Sequence, residues 1–296
     1  MTTIQTILDK YRKKIDSLDL ELLVAHELKK SREFVLAHPE CIVTSEQESA
    51  ISKLFRRRLR NEPLAYILGQ KEFYGLDFGV TRDTLIPRPE TELLVELALQ
   101  QISNTKNAPL NIIDVGTGSG NIIISLAKTI ERRNLLHDSC YMLHGIDISK
   151  ETLKIARHNA KKHSLTKIKF IRSDLLDYFL ENNEPIKQFN NLIILANLPY
   201  LSKEIYSATT PTVKNFEPKS ALYSPKAGLD HYEKLLRQIR DLKKHCYVLH
   251  VSCFMEFSPE QKKDLTLLIK NILPSAEIQF EKDLAGKWRT CVIKLI

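Results

Sequence analysis

Leu110-Asn111-Ile112-Ile113-Asp114-Val115-Gly116-Thr117-Gly118-Ser119-Gly120 is the stretch whose reading decides the fold. Its first six residues form a short apolar run, which reads as a buried strand. The glycines that follow let the backbone turn tightly and approach a ligand with no Cβ in the way, while a helix from Asn121 to Ile130 starts just behind them. Working outward, the same alternation continues. A strand Tyr141 to Ile146 ends in Asp147, a helix runs from Lys150 to about His163, and a strand Lys167 to Ile171 ends at Arg172-Ser173-Asp174-Leu175. Then come a strand Leu192 to Ala196, a helix Leu229 to Lys244, a strand Cys246 to Val251 and a helix Pro259 to Asn271. An antiparallel pair, Ala276 to Phe280 and Thr290 to Ile296, completes the sheet. Strands alternating with helices are the mark of a βαβ sheet, so the fold class is α/β, Rossmann-like, with a mostly parallel seven-stranded sheet.

An acidic residue at the tip of the second strand, Asp147, is placed to hydrogen-bond a ribose hydroxyl. The dinucleotide fingerprint G-x-G-x-x-G requires glycine where Asn121 stands, which disfavours NAD. The form present, D-x-G-x-G-x-G, is the one used by proteins that bind S-adenosylmethionine. Asp174 is positioned to accept from an adenine amino group with Leu175 against the ring; as a purely structural reading, which does not exclude the first, Asp174 caps a helix.

The run Asn190 to Tyr200, N-N-L-I-I-L-A-N-L-P-Y, breaks off in Asn197-Leu198-Pro199-Tyr200 at the carboxyl end of a buried strand, where open α/β sheets bind ligands. The Asn197 side-chain oxygen and the Leu198 carbonyl are two acceptors that together can hold one planar NH2 group, with Tyr200 over its flat face. This points to chemistry on an amide or exocyclic amine nitrogen.

Before the sheet, apolar residues at helical spacing (Ile4, Ile7, Leu8, Tyr11, Ile15; Leu20, Leu23, Leu28; Ile51, Leu54, Phe55, Leu59) read as a small helical bundle over residues 1–70. Ser45 with Glu48 reads as a capping box, and Pro63 and Gly69 bracket a short helix, Leu64 to Leu68. A β-hairpin about Gly75 links the bundle, over residues 71–88, to the domain of residues 89–296. Leu85-Ile86-Pro87-Arg88-Pro89-Glu90-Thr91-Glu92 is a stiff segment suited to form a wall ahead of Asn197. The helix that follows it spans Thr91 to about Ile102.

The 296 residues are 43% hydrophobic and 27% charged, those of a globular protein with ample core. No apolar run approaches the roughly eighteen residues of a membrane span, and the first residues lack the order of a signal peptide. Five scattered cysteines (Cys41, Cys140, Cys246, Cys253, Cys291) without a C-x-x-C pair indicate neither a disulfide framework nor a zinc site, so a reducing cytoplasm fits. The net charge of +8 favours an acidic partner without choosing one, and the basic run Lys53 to Arg60 reads as a solvated helix face. His26, His38, His144, His158 and His163 show no metal-ligand spacing, and no metal is expected. Trp288 reads as packing.

The chain resembles the peptide chain release factor glutamine methyltransferases. The resemblance rests on residues 57–69 (R-R-L-R-N-E-P-L-A-Y-I-L-G), Glu72-Phe73-Tyr74-Gly75, Leu85 to Glu92, the glycine loop and Asn197 to Tyr200. It continues through Phe216-Glu217-Pro218 with Ala221-Leu222, Gly228-Leu229-Asp230, and Asp283-Leu284-Ala285-Gly286 with Arg289. It implies a helical docking domain, a hairpin and a methyltransferase domain that transfers a methyl group from S-adenosyl-L-methionine to the glutamine amide nitrogen of the Gly-Gly-Gln loop in class 1 release factors. By the same resemblance Gly116, Thr117, Gly118, Ser119, Gly120, Asp147 and Asn197 contact the cofactor, beside Asp174 and Leu175 read above as its adenine contacts, and Asn197, Leu198, Pro199 and Tyr200 hold the glutamine. The expected form is a cytoplasmic monomer that binds neither membrane nor nucleic acid directly. The sequence departs from the family pattern at Leu198 (usually proline) and at Leu175 (usually aromatic). It departs again near the fifth strand, where Lys244-His245-Cys246 and His250-Val251 replace a Gly-Gly turn and a glutamate. Two alternatives remain open: adenine N6 methylation of RNA or DNA, whose amino group presents the same planar NH2, and S-adenosylmethionine binding without turnover.

Overall fold

A computed structural model describes residues 1–105, 109–136, 141–182, 191–245 and 250–295. Asn190, Cys140, Cys246 and the first part of the strand expected from Cys246 lie outside the described residues, as does Ile296. The chain divides into two compact units, residues 1–70 with 210–216, and residues 71–209 with 217–296.

In the first unit, helices Ile4–Tyr11, Ser17–Leu28, Arg32–Ala37, Ser45–Leu59 and Leu64–Leu68 bury Ile4, Leu23, Val24, Val35, Ile51 and Phe55 against one another. Short polar residues begin four of them: the side chains of Thr3, Asp16, Ser31 and Thr44 each accept a backbone N–H of the first turn. The capping box of the fourth helix sits one residue earlier than expected. Thr44, in extended backbone, accepts from the Gln47 N–H while Gln47 Oε1 accepts from the Thr44 N–H at 3.0 Å, so Ser45 is already helical. Part of the basic run is committed internally, since Arg57 grips Glu62 through two nitrogens at 2.9 and 3.0 Å and Arg58 Nε meets Asp19 at 2.5 Å.

The chain then forms a hairpin, β1 (Gln70–Phe73) and β2 (Leu76–Gly79), which from Lys71 on belongs to the second unit. Tyr74 and Gly75 both take positive φ (53° and 72°), as a two-residue hairpin turn requires. The main sheet comprises β3 (Leu110–Val115), β4 (Tyr141–Asp147), β5 (Ile168–Arg172), β6 (Asn191–Ala196), β7 (His250–Glu256), β8 (Glu277–Lys282) and β9 (Trp288–Leu295). Their order is β5-β4-β3-β6-β7-β9-β8, with β9 antiparallel to both its neighbours and the rest parallel.

Alternate side chains of the central strands enter two separate cores. Leu192, Ile194 and Ala196 pack with Val251, Cys253 and Met255 beneath helices Asp230–His245 and Lys262–Ile272. Ile193 and Leu195 pack with Ile112 and Leu143 beneath helices Glu92–Ser103 and Asn121–Arg133. A sheet covered on both faces explains the near-continuous apolar runs. In the register, Val115 pairs Ile146 on one side and Ala196 on the other, and Ala196 pairs Met255. Gly116, Asp147, Asn197 and Glu256, each next in its chain, therefore emerge along one carboxyl edge. The strand order reverses between β3 and β6, the switch point at which open α/β sheets bind ligands. Trp288 packs edge-on to Phe280, with Lys262 Nζ 3.3 Å from its ring centroid.

Candidate functional site

A cleft of about 1060 Å³, its open mouth included, lies over this switch point. Its lining draws on several segments singled out in the sequence: Gly116 to Ser119, Asp147, Asp174 and Leu175, Asn197 to Pro199, Pro218 and Ala221, and the Asp83 to Thr91 segment, of which Leu85, Pro87, Arg88 and Thr91 line it. Gly120 and Tyr200 are not among the lining residues. Gly120 (φ +81°) turns the chain into its helix, and a Cβ there would stand 2.7 Å from the Ile124 side chain and 3.4 Å from Ala156 Cβ, so its need for glycine is one of packing.

The glycine loop is held from both ends. The Thr117 N–H donates to the Ile146 carbonyl at 2.8 Å, and the Thr117 hydroxyl donates to Asp114 Oδ2 at 2.6 Å. Asn159, buried on the helix Lys150–Lys162, donates to the Ser119 carbonyl (2.8 Å) and the Gly79 carbonyl (3.0 Å) while accepting from the Gly79 N–H (2.8 Å). The loop is thus fixed before any ligand arrives. Gly116 also touches the tetrapeptide closely, as an added Cβ would lie 3.0 Å from Leu198 Cδ2. Burial pushes the Asp114 carboxyl up to about 7, against the Thr117 hydroxyl and the Ile123 N–H, which favour its charged form.

Asp147 accepts from the Gly118 N–H at 3.1 Å and from the Ser149 N–H at 2.9 Å. Burial nevertheless raises its pKa above the ordinary aspartate value. Leu175 adopts φ +52° and, largely buried, lines the cleft beside Asp174. Asp174 pairs with Lys234 at 2.7 Å. It does not cap the following helix, Asp177–Glu181; there the Ser173 hydroxyl accepts the Tyr178 N–H at 3.0 Å. On the opposite wall Arg88 donates to the buried Glu217 at 2.5 Å, and Glu217 also accepts the Ile86 N–H at 3.2 Å, so two chain segments close the cleft together.

The tetrapeptide is anchored by Thr91, from the stiff segment, and by Glu256, Tyr232 and Gln261, which sequence reasoning did not single out. Asn197 Nδ2 donates to the Thr91 hydroxyl oxygen at 3.1 Å, and that hydroxyl donates to Glu256 Oε2 at 2.7 Å. The Tyr200 hydroxyl donates to Glu256 Oε1 at 3.0 Å, and the Tyr232 hydroxyl donates to the Glu256 carbonyl. Gln261 Nε2 donates to the carbonyls of both Tyr200 and Ala227 at 2.8 Å. Burial raises the pKa of Glu256, opposed by the two hydroxyls and Arg289, while burial and the Glu256 charge hold Tyr200 protonated as a donor. Glu256 corrects one expectation. A glutamate does stand on the fifth parallel strand, at its carboxyl end, five residues beyond the His250-Val251 pair read as its replacement. The strand's buried span runs from Val251 to Glu256, so its tip lies further along the chain than the apolar pattern suggested. The Lys244-His245-Cys246 turn extends outside the described residues. Thr91 had a legible signal, the Pro-Arg-Pro-Glu-Thr-Glu segment; Glu256, the carboxyl at a parallel strand's end, had a weaker one.

Residues 4–69 match the PrmC N-terminal domain family, and residues 106–271 match a methyltransferase domain family. A protein named release factor glutamine methyltransferase from Bacillus anthracis is 31% identical over 271 residues, covering 91% of this chain and 89% of that protein. Proteins of the same name from Nitratidesulfovibrio vulgaris and Buchnera aphidicola are 33% and 35% identical, covering 96% and 93% of this chain and 92% and 90% of theirs. In fold, the chain is similar to a crystal structure of the hMettl16 catalytic domain in complex with a 3′UTR hairpin, with a TM-score of 0.52 at 15% identity over 75% of each chain.

Proposed function

Because the chain belongs to the release factor glutamine methyltransferase family, we propose that Asn197 and Leu198 hold the side-chain amide of the release factor's glutamine while Gly116 to Ser119, Asp147, Asp174 and Leu175 bind the methyl donor, with Gly120 turning the loop into its helix. The protein is an S-adenosyl-L-methionine-dependent protein-glutamine methyltransferase. Its residues suit that donor: Gly118 (φ +57°) has only the Gly116 carbonyl oxygen, 3.9 Å away, near the place of a Cβ, so a ligand can approach the bare backbone. Asp147 offers the adjacent carboxylate for ribose hydroxyls.

A glutamine amide nitrogen is a poor nucleophile because its lone pair is delocalised into the carbonyl. The donor, when bound, supplies a methyl group on a positively charged sulfonium whose sulfur departs as a neutral thioether. What the protein adds is orientation, the largest lever for a reaction between two bound partners. Asn197 Oδ1 and the Leu198 carbonyl accept from the two N–H groups, which fixes the plane of the amide and pushes electron density toward nitrogen. The nitrogen gains the methyl group and releases one proton to water, with no dedicated general base. The observation that carries this reading is that Asn197 and Leu198 line the same cleft as Gly118 and Asp147, so one cavity serves both reactants.

The finer reading is a cytoplasmic monomer that modifies the Gly-Gly-Gln loop of class 1 release factors, uses its helical unit (residues 1–70) to dock them through the linker of residues 71–88, and makes no direct contact with nucleic acid. The test is transfer of a labelled methyl group to a purified class 1 factor, to the same factor with that glutamine changed to alanine, and to RNA and DNA. Label on the unaltered factor alone, lost with Asn197→Ala, is the expected result. Label on nucleic acid, or on the factor lacking the glutamine, overturns it.

A further inference from the structure

We infer that Thr91 and Glu256 are positioning residues that set which way round the Asn197 carboxamide faces, so that its oxygen, not its nitrogen, is presented to the substrate amide. The inference rests on the role given above to Asn197 and follows from counting hydrogens. The Thr91 hydroxyl has one hydrogen and two close polar neighbours, Glu256 Oε2 at 2.7 Å and the Asn197 amide at 3.1 Å. Glu256 is buried, and its other oxygen is already taken by the Tyr200 hydroxyl at 3.0 Å. Both Glu256 oxygens receive hydroxyl donors and the Arg289 charge favours the ionised form, and as a carboxylate Glu256 is an acceptor only, so it claims the Thr91 hydrogen, and leaving it without that donor would carry the desolvation penalty of an unpaired charge. The Thr91 oxygen then has only lone pairs left for Asn197. Only the NH2 end of the carboxamide can meet a lone pair, so the Oδ1 end is turned away from Thr91.

The amide of an asparagine is otherwise nearly symmetric in shape, and a flipped Asn197 would put two N–H donors against the two N–H donors of a glutamine side chain. Thr91 is fully buried and sits at the start of the helix Glu92–Ser103, while Glu256 ends β7, so two rigid elements carry the relay. Tyr200 completes it: by occupying Oε1, it leaves Oε2 to Thr91 and also ties the end of the tetrapeptide to the same carboxylate. Neither Thr91 nor Glu256 needs to touch the reacting atoms.

The test compares Thr91→Val, which keeps the shape and removes the hydroxyl, with Thr91→Ser, which restores it, in the full-length protein acting on a purified release factor. Thr91→Val is expected to lower kcat by about 10- to 100-fold, the range found when a group that only orients a binding residue is removed. The dissociation constant for S-adenosylmethionine, measured by calorimetry, stays within about twofold because the charged hydrogen bonds assigned to the cofactor are left intact. Thr91→Ser is expected to recover kcat to within about threefold, since the donor and acceptor pattern is the same. A structural role alone would lower cofactor affinity and kcat together and would not distinguish serine from valine by hydroxyl. If Thr91→Val does not fold, Glu256→Gln carries the test: it presents one acceptor where two hydroxyls need one each, and the same loss in kcat at unchanged cofactor affinity is expected. Wild-type kcat in whichever of these two variants folds, or equal losses in Thr91→Val and Thr91→Ser, overturns the inference. Asn197→Ala separates it from the underlying reading. A fully active Asn197→Ala removes both, whereas an inactive Asn197→Ala beside a fully active Thr91→Val removes the relay alone.

Discussion

Gly228→Ala tests how the tetrapeptide is held in place. Gly228 is buried at φ +87°, and a Cβ built there lies 2.9 Å from the Tyr200 carbonyl carbon and closer still to the Tyr200 oxygen and to Gln261 Nε2. Two costs follow. The left-handed backbone alone costs an alanine about 1–2 kcal/mol. The overlap involves both the Tyr200 carbonyl and Gln261 Nε2, so both must move, which breaks the 2.8 Å bonds from Gln261 to the Tyr200 and Ala227 carbonyls. Losing these, with buried acceptors left behind, adds about 2–3 kcal/mol, for a total of roughly 3–5 kcal/mol. Gly286→Ala is the matched control, because Gly286 has a similar φ of +75° and nothing within 4 Å of its Cβ position, so it bears only the backbone cost. Urea unfolding should therefore place Gly228→Ala about 2–3 kcal/mol below Gly286→Ala. Methyl transfer should fall at least about tenfold in Gly228→Ala alone, since displacing Tyr200 drags Asn197 and Leu198 out of line. Equal unfolding midpoints for the two variants, or wild-type turnover in Gly228→Ala, would refute the reasoning.

Asp147→Ala is expected to weaken S-adenosylmethionine binding by about 10- to 100-fold, as for loss of charged hydrogen bonds, with kcat at saturating cofactor little changed; calorimetry and steady-state kinetics measure the two parts. Two buried groups give opposite pH dependences of stability. Asp114, raised from 3.8 to about 7, holds its proton more tightly when folded, so its contribution is present below about pH 4 and is lost as pH rises through about 7, at most about 4 kcal/mol. His144, lowered by burial and by Lys169 from 6.5 to about 4, resists protonation when folded, so its contribution is present above about pH 6.5 and is lost as pH falls through about 4, at most about 3 kcal/mol. Unfolding of Asp114→Asn across pH 4–7 should accordingly lose the falling component and rise more steeply with pH than the wild type, and His144→Leu should fall more steeply. Parallel profiles for either variant and the wild type would show that the group does not titrate on unfolding in this window.

The amino-acid sequence by itself determined the class of fold and the address of the site, because both are written in local chemistry. Buried parallel strands need unbroken apolar runs such as Leu192 to Ala196, helix starts need short polar residues, and a strand that must release the chain beside a ligand needs glycines at Gly116 and Gly118. Gly116 to Ser119, Asp147 and Asn197 could be placed together before any coordinates were known, since strand ends of one parallel sheet share an edge. Cap and strand boundaries slipped by a few residues where two neighbouring patterns competed, as with Thr44 and Ser45. Only the tertiary structure decided what lies behind the site. Glu256, Tyr200 and Thr91 are separated by as many as 165 residues, yet they meet in one hydrogen-bond chain. Tyr200, read as a cover for the substrate amide, spends its hydroxyl on Glu256, and Gly120, read as part of the ligand loop, spends its missing side chain on Ile124 and Ala156. A residue type and its spacing state what a side chain is able to do. Which of those abilities is used depends on the burial and the partners that distant segments bring to it, and in a close-packed interior a hydroxyl has one hydrogen to give.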